Sequence, residues 1–169
     1  MIFHRFARES RGCVEAAVEE ARLMGHDSIG DEDLLLGILS TGEGIAAEAL
    51  ASLGVTLRGA REESERMASD ALASVGISFE DIRTQAGDAF EMRIPDNRRI
   101  PFSPRSKKVL ERARDAGVRM RDRHLGPVHI LLGILHTEDG TAVRMLTRMG
   151  IASETLEERL FELRGRAAG

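Results

Sequence analysis

A chain of 169 residues with 42% hydrophobic residues can bury one core, as one compact domain or as two small ones that share it. Its formal net charge of −4 argues against nucleic acid as the main partner, because binding through counterion release needs a basic face. No apolar run reaches the roughly 18 residues of a membrane span, no signal peptide is recognisable, and the single cysteine, Cys13, excludes an internal disulfide and fits a reducing cytoplasm.

The first fifty or so residues predict helices. Apolar residues of the opening segment recur at helical spacing with Arg and Glu between them, and Gly25 follows them as a stop signal. Asp31 can cap a second helix that runs through Leu39. A third short helix ends at Gly54, and a fourth begins after Thr56. Because Val, Ile and aromatic residues are few and never alternate, we expect no strands.

The same plan returns later in the chain. A shift of 96 positions aligns residues 6–55 with residues 102–151 without a gap, and 16 of the 50 pairs are identical. The identities cluster in the pentapeptide LLGIL, present as 35–39 and 131–135, and in the glycines that follow each copy. Similarity that keeps its register over fifty residues indicates an internal duplication.

A shorter echo lies between the two copies. The segment ALASLGVTLRGAR at 49–61 is repeated as ALASVGISFEDIR at 71–83, which indicates a tandem duplication of 22 residues that adds about one helix. Residues 85–100 contain Gly, Asp, Asn and Pro and read as an irregular linker. We therefore expect a single all-α domain over 1–169, with a first repeat at 3–63, an inserted helix and linker at 64–100, and a second repeat at 101–165.

Several stretches together resemble the N-terminal domain of bacterial Clp ATPases, most closely the ClpC type. They are MIFHRFARESRGCVEAAVEEARLMGH, IGDEDLLLGIL, GEGIAAEALASLG and IPFSPRSKKVLERA. The resemblance implies two pseudo-symmetric four-helix units packed into one globule, which recruits substrates, adaptors and, in actinobacteria, cyclic peptide antibiotics to the unfoldase. The phosphate-binding loop of the motor, G-x-x-x-x-G-K-[ST], is absent. We therefore expect a recruiting domain without the motor, in a separate paralogue.

The resemblance also singles out an acidic residue. Glu32 stands where some ClpC proteins bind the guanidinium of phosphoarginine-tagged substrates, and a carboxylate suits this role because it pairs bidentately with the N–H donors of the guanidinium. Alternatively, Glu32 is an ordinary acid in the first turn of a helix, favoured by the helix macrodipole. The matching position of the second copy is Val128, so at most one such site is expected.

Four further residues fall on family positions that line a peptide-binding groove, where the antibiotics bind: Phe3, Val14, Phe102 and Lys107. Aromatic rings offer a large contact area at low entropy cost, which suits the recognition of apolar peptides. The alternative for both phenylalanines is that they belong to the core.

The histidines between His124 and His136 carry a rival interpretation, a small helical enzyme or a metal-dependent sensor. His129 and His136 are seven residues apart and would share a helix face, but zinc sites generally have three or four closely spaced ligands. Partly exposed surface histidines are therefore the simpler interpretation, and we predict neither a metal nor a cofactor. Cys13 is expected to be an inert core thiol, and no nucleophile motif is present.

The sequence thus predicts a non-enzymatic, cytoplasmic binding protein that acts beside a ClpC-type ATP-dependent protease. Its partners would be the Clp ATPase and protease complex, its adaptors or its substrates, with cyclic peptide antibiotics as further ligands. Neither nucleic acid nor a membrane is expected as a partner.

Overall fold

The computed structural model describes residues 6–86 and 99–169, and this part of the chain is helical without a named strand. The first five helices are α1 (Arg8–Leu23), α2 (Asp31–Thr41), α3 (Gly44–Ser52), α4 (Leu57–Ser74) and α5 (Phe79–Ala86). The remaining four are α6 (Pro104–Arg119), α7 (Pro127–Leu135), α8 (Thr141–Arg148) and α9 (Ser153–Ala167). The predicted all-α class is confirmed.

The helix positions reproduce the duplication read from the sequence. Three helices of the second repeat, α6, α7 and α9, begin 96 residues after α1, α2 and α4, and α8 begins within one residue of the same register after α3. The helices also cross-pack reciprocally: α3 lies on α9 while α4 lies on α8, and α1 touches α7 while α6 touches α2. The two four-helix units are therefore pseudo-symmetric and share one core.

The extra helix α5 follows the predicted 22-residue echo. α3 ends in a turn where Gly54 has a φ of 83°, and α4 ends in a turn where Gly76 has a φ of 78°. In each turn the third residue after the helix donates its N–H to a carbonyl of the last helical turn, from Val55 to Leu50 and from Ile77 to Leu72. Glycine is favoured at both turns because other residues pay a steric cost at positive φ. Helices α4 and α5 each begin three residues after these glycines.

The LLGIL segments form the centre of the core. Leu36 and Leu132 are fully buried on α2 and α7, as equivalence of the two copies predicts. Gly37 lets α1 approach α2 closely, because a Cβ at this position would overlap the carbonyl oxygen of Cys13. Gly133 plays the same part between α6 and α7, where a Cβ would overlap the carbonyl oxygen of Val109. The repetition of the pentapeptide is thus explained by the short distance between the packed helices as well as by the burial of its apolar side chains.

Each repeat completes the other through backbone pairing. Phe6 forms a bridge with Leu125, and Phe102 forms the equivalent bridge with Ile29. The buried hydroxyl of Ser10 donates to the carbonyl of Leu125 at 2.6 Å, and that of Ser106 donates to the carbonyl of Ile29 at 2.7 Å. The start of each repeat is therefore held by the loop that precedes the central helix of the other repeat.

Asp31 does not cap its own helix as predicted. The N-cap of α2 is Gly30, whose N–H donates to Asp33 three residues on. Asp31 is buried at the first position of the helix, and its Oδ2 accepts the N–H of Ala142 at 2.8 Å, in the first turn of α8. The residue type was a sound signal for a helix start, but the helix that it caps belongs to the other repeat.

Within the described residues no single helix is long and apolar enough to cross a membrane. Only α2 and α3 taken together meet that length and composition, and they are bent by 95° at the break between them.

We predict that Gly37→Ala and Gly133→Ala each destabilise the protein by about 1–3 kcal/mol, because an added methyl group would press against the backbone of the neighbouring helix. Gly12→Ala is the matched control. It lies within α1 with open space at its Cβ position, so it should stabilise by roughly 0.5–1 kcal/mol through helix propensity. Urea unfolding of the three variants measures the effects, and a stabilising Gly37→Ala would refute the close approach.

Candidate functional site

A cleft of about 730 Å³ opens where the two repeats meet. One wall is the loop between α1 and α2 with the first turn of α2, and the other is formed by the starts of α6 and α8. The lining residues are Gly25, His26, Asp27, Ser28, Gly30, Asp31, Glu32, Ser103, Pro104, Arg105 and Thr141. Because the reciprocal pairing of the repeats fixes both walls, the cleft is a product of the whole domain.

The first wall of the cleft is acidic, and two of its acids already have structural roles. Asp33 is buried, accepts the N–H of Gly30 at 2.8 Å and contacts Nδ1 of His26 at 3.0 Å. Asp31 caps α8. The carboxylate of Glu32 instead lies over Gly30, where a Cβ would overlap it. Glu32 is therefore the acid of this group that lines the cleft without a bond to the second repeat.

The surroundings of Glu32 disfavour its charge. Burial, together with the nearby carboxylates of Asp33 and Asp31, raises the pKa of Glu32 to about 7. His26 is shifted in a compatible direction, since its hydrogen bond to Asp33 raises its pKa above 6.5. A carboxyl that titrates near neutral pH gains from a cationic ligand, because the ligand offsets both the burial and the neighbouring negative charge.

The opposite wall carries the positive charge of the cleft. The guanidinium of Arg105 lies 3.5 Å from the hydroxyl of Thr141 and 3.8 Å from a carboxylate oxygen of Asp139. Its side chain remains 42% exposed, so both contacts leave donors available to solvent. The cleft thus has one acidic and one basic wall, a distribution that suits a ligand with charges of both signs.

His26 and Glu32 of the cleft wall and the buried Asp33 behind them are close enough to one another to hold a metal ion. They form the one such group of three among the described residues. The bonds of Asp33 to Gly30 and His26 already account for its position. The expectation that the protein carries no metal stays a prediction, and elemental analysis of the purified protein would contradict it if one divalent ion per chain were found.

Comparison with protein families covers nearly the whole chain. The sequence profile of the Clp repeat (R) N-terminal domain matches residues 5–69, 57–148 and 101–168. The chain belongs to the Clp N-terminal repeat family. The family resemblance read from the sequence is confirmed.

Relatives and solved structures agree with this assignment. The ClpA homolog of Cyanidium caldarium, an ATP-binding subunit of a Clp protease, is 34% identical over 97% of this Clp N chain, and chloroplastic ClpC of Pisum sativum is 32% identical over 99%. ClpC/MecB of Bacillus subtilis, a negative regulator of genetic competence, is 32% identical over 98%. The chain spans 16–18% of the length of these three relatives.

Two solved N-terminal domains share the fold of this Clp N chain. That of ClpD from Arabidopsis thaliana superposes with a TM-score of 0.66 at 23% identity, covering 100% of this chain and 98% of that one. That of Hsp104 from Candida albicans gives 0.63 at 18% identity, over 95% and 91% of the two chains.

The described residues of the predicted peptide groove, Val14, Phe102 and Lys107, are not among those that line the cleft. Phe102 and Val14 are half-buried and pack against the core, and Lys107 is exposed on α6. Phe3 falls outside the described residues. The position of Phe102 is compatible with a role in the core and with a role in a groove, because part of its side chain contacts the core and part reaches the surface.

The histidines of the second Clp N repeat do not converge. His124 is exposed, and His136 pairs with Glu157 at 3.1 Å. His129 is buried rather than partly exposed, because Nδ1 accepts the N–H of Gly126 and Nε2 contacts Asp122 at 2.9 Å. This bond repeats the one between His26 and Asp33 with the residue types exchanged, 96 positions on. The arrangement gives no support to a metal site in the region 124–136.

Cys13 behaves as predicted. Its thiol is buried in α1, 3.6 Å from the hydroxyl of Thr41, and burial raises its pKa. A thiol with a raised pKa is a poor nucleophile.

Sequence reasoning named Glu32 but missed the other members of the cleft. Arg105 and Thr141 are 73 and 109 positions from Glu32, so no local pattern could have joined them. One signal was available in the sequence. At a shift of 96 positions His26 corresponds to Asp122 and Asp33 corresponds to His129, so the histidine and the aspartate have changed places. Such an exchange of acid and base between equivalent positions predicts contact within each repeat.

The titration of Glu32 leads to a pH prediction for the Clp N domain. Because its pKa is raised to about 7 in the folded protein, folding favours the protonated carboxyl, and stability is lost as the pH rises from 4.5 through 7. His26 acts in the same direction. Because its pKa is raised in the folded protein, its positive charge stabilises the fold below pH 6.5, and this stabilisation is lost as the pH rises through the pKa of the folded state. Glu32→Gln should therefore stabilise by about 1 kcal/mol at pH 8 and by much less at pH 5.

Urea unfolding at the two pH values measures this difference. Glu48→Gln on the exposed face of α3 is the control for the loss of one carboxylate. An equal effect of Glu32→Gln at pH 5 and pH 8 would show that the carboxyl titrates in its ordinary range.

Proposed function

We propose that this Clp N domain is a non-enzymatic module that binds protein substrates or adaptors in the cytoplasm and presents them to a ClpC-type ATP-dependent protease. The cleft between the repeats is the observation that carries the proposal. Its walls have opposite charge, it is lined by side chains of both repeats, and it holds a carboxyl whose ionisation a cationic group would favour. The names of the relatives, which are ATP-binding subunits and chaperones of Clp proteases, support the same role.

The cleft suits a side chain that has a guanidinium next to an anionic group, as phosphoarginine has. Glu32 would accept the guanidinium N–H groups, since a charged acceptor gives the stronger hydrogen bonds. Arg105 would bind the phosphoryl oxygens from the opposite wall. The domain offers one such site, because Val128 replaces the acid in the second repeat.

Calorimetry with free phosphoarginine tests this ligand. Glu32→Gln should weaken binding about tenfold, or roughly 1.4 kcal/mol, and Glu48→Gln should have no effect. In the parent protein the affinity should rise from pH 6 to pH 8, because Glu32 becomes ionised over this interval. Arg105→Gln should reduce the preference for phosphoarginine over arginine. If phosphoarginine and arginine bind equally well, the phosphoryl part of the proposal fails.

A groove for apolar peptides, including cyclic peptide antibiotics, is the second candidate site. It would be formed by Phe3, Val14, Phe102 and Lys107, and the half-buried positions of Phe102 and Val14 support it, because a ring that is only partly covered still gains from ligand contact. Lys107 is exposed and free to donate to a ligand carbonyl at the rim.

For this groove we predict that Phe102→Ala weakens binding of a ClpC-directed cyclic peptide by about 2 kcal/mol, as expected of a hot-spot aromatic residue. Phe161→Ala is the matched control, since Phe161 is 44% exposed on α9 and has no role in the groove. Calorimetry measures both. Equal affinities for the two variants would assign Phe102 to the core alone.

An adaptor, a regulator of the motor and a decoy that sequesters ligands are the three roles compatible with such a module. A pull-down from the native host with the parent chain and with Glu32→Gln distinguishes them. Recovery of Clp ATPase subunits by both proteins indicates direct docking on the motor, whereas recovery of substrates by the parent alone indicates capture through the cleft.

A further inference from the structure

The two repeats share a fold but carry opposite charge. Residues 6–86 contain seven basic and 16 acidic residues, whereas residues 99–169 contain 14 basic and nine acidic ones. The equivalent helices α1 and α6 show the contrast directly: α1 has three basic and four acidic residues, and α6 has six basic and two acidic ones. A net charge of −4 for the whole chain conceals this division.

The basic residues of α6 are aligned. Arg105, Lys108, Arg112 and Arg119 follow one another at intervals of three, four and seven residues, so they lie along one face of the helix. At a rise of 1.5 Å per residue, this basic stripe is about 21 Å long. Lys108 and Arg119 are exposed, and Arg112 is half-exposed.

The fold does not require the basic stripe. In the equivalent helix α1 the four positions are Glu9, Gly12, Ala16 and Leu23, and α1 occupies the same place in its repeat. In the part of the chain that the structure describes, Lys108, Arg112 and Arg119 form neither an ion pair nor a side-chain hydrogen bond. Like charges one turn apart on a helix repel each other and destabilise it. Three of the four cations of the stripe thus repel their neighbours without an internal partner, whereas Arg105 contacts Asp139 and Thr141.

We propose that the basic stripe of α6 docks an acidic polypeptide segment of about the same length, from a substrate or a partner protein. Carboxylates spaced along such a segment match the helical spacing of the cations, and each Arg can donate two hydrogen bonds to one carboxylate. Glu111 and Asp115 border the stripe on its exposed side and separate it from Lys107 and Arg114. A narrow row flanked by acids, with no aromatic ring in it, favours a sparsely charged peptide over a nucleic acid, whose phosphates are denser and whose bases bind by stacking.

The test measures the fluorescence anisotropy of a labelled peptide of about 15 residues that carries glutamates in a Gly/Ser background. Lys108→Glu/Arg119→Glu should weaken binding about tenfold or more at low ionic strength, because two attractive charges become repulsive. Arg8→Glu/Arg144→Glu is the matched control: it changes the net charge equally at exposed positions outside the stripe, and its affinity should stay within about twofold of the parent. Affinity in the parent should fall steeply as salt rises from about 50 to 300 mM.

Thermal unfolding establishes that both double variants are folded. If both double variants weaken peptide binding equally, the effect comes from net charge alone and the proposal is overturned. Stripe-dependent binding of a single-stranded oligonucleotide that is tighter than that of the peptide would also overturn it, as would self-association of the protein at low salt that the stripe variant abolishes. Glu32→Gln should leave the peptide affinity unchanged, so a failure here is distinct from a failure of the cleft.

Discussion

The fold depends on two backbone carbonyl groups, one in each repeat, that each accept a hydrogen bond from the other repeat. The carbonyls of Ile29 and Leu125 precede the central helices, and each accepts a buried serine hydroxyl from the opposite repeat. An unpaired buried hydroxyl or carbonyl would cost about as much as a lost hydrogen bond. This exchange fixes the loop before α2 against the start of α6, and these two segments face each other across the cleft. The position of Glu32 opposite Arg105 therefore follows from the pairing of the repeats.

Duplication has held the interior constant while the surface changed. Gly37 and Gly133 meet the equivalent helices α1 and α6 at equivalent residues, Cys13 and Val109. The bond between a histidine and an aspartate also persists, although its partners have exchanged identities. The outer faces of α1 and α6 share no such restraint, since solvent accepts either sign of charge. One copy has become acidic and the other basic, which gives a single small domain two chemically different faces.

The interior was predictable from the sequence because its signals are local or repeated. The LLGIL segments and the turns at Gly54 and Gly76 involve residues within one or two helical turns, and the 96-residue register extended each reading to the second copy. The cleft was predictable only in part. Glu32 was named through its family position, but the use of Asp31 as a cap for a helix 111 residues away depends on a contact between repeats. A sequence pattern can indicate that an aspartate caps a helix, but it does not say which helix. For Asp31 the capped helix was in the other repeat.

The turn at Gly76 shows how this architecture can gain material. Its hydrogen bonds are confined to the last turn of α4 and the residues that directly follow, so the turn makes no demand on the core. The backbone bonds of such a turn therefore lie within the 22-residue segment that contains it. The duplication of this segment lengthened the chain without altering any helix that lines the cleft. The junction between α4 and α5 is accordingly a place where an engineered sequence, such as a fluorescent tag or a second binding module, can be grafted at little energetic cost.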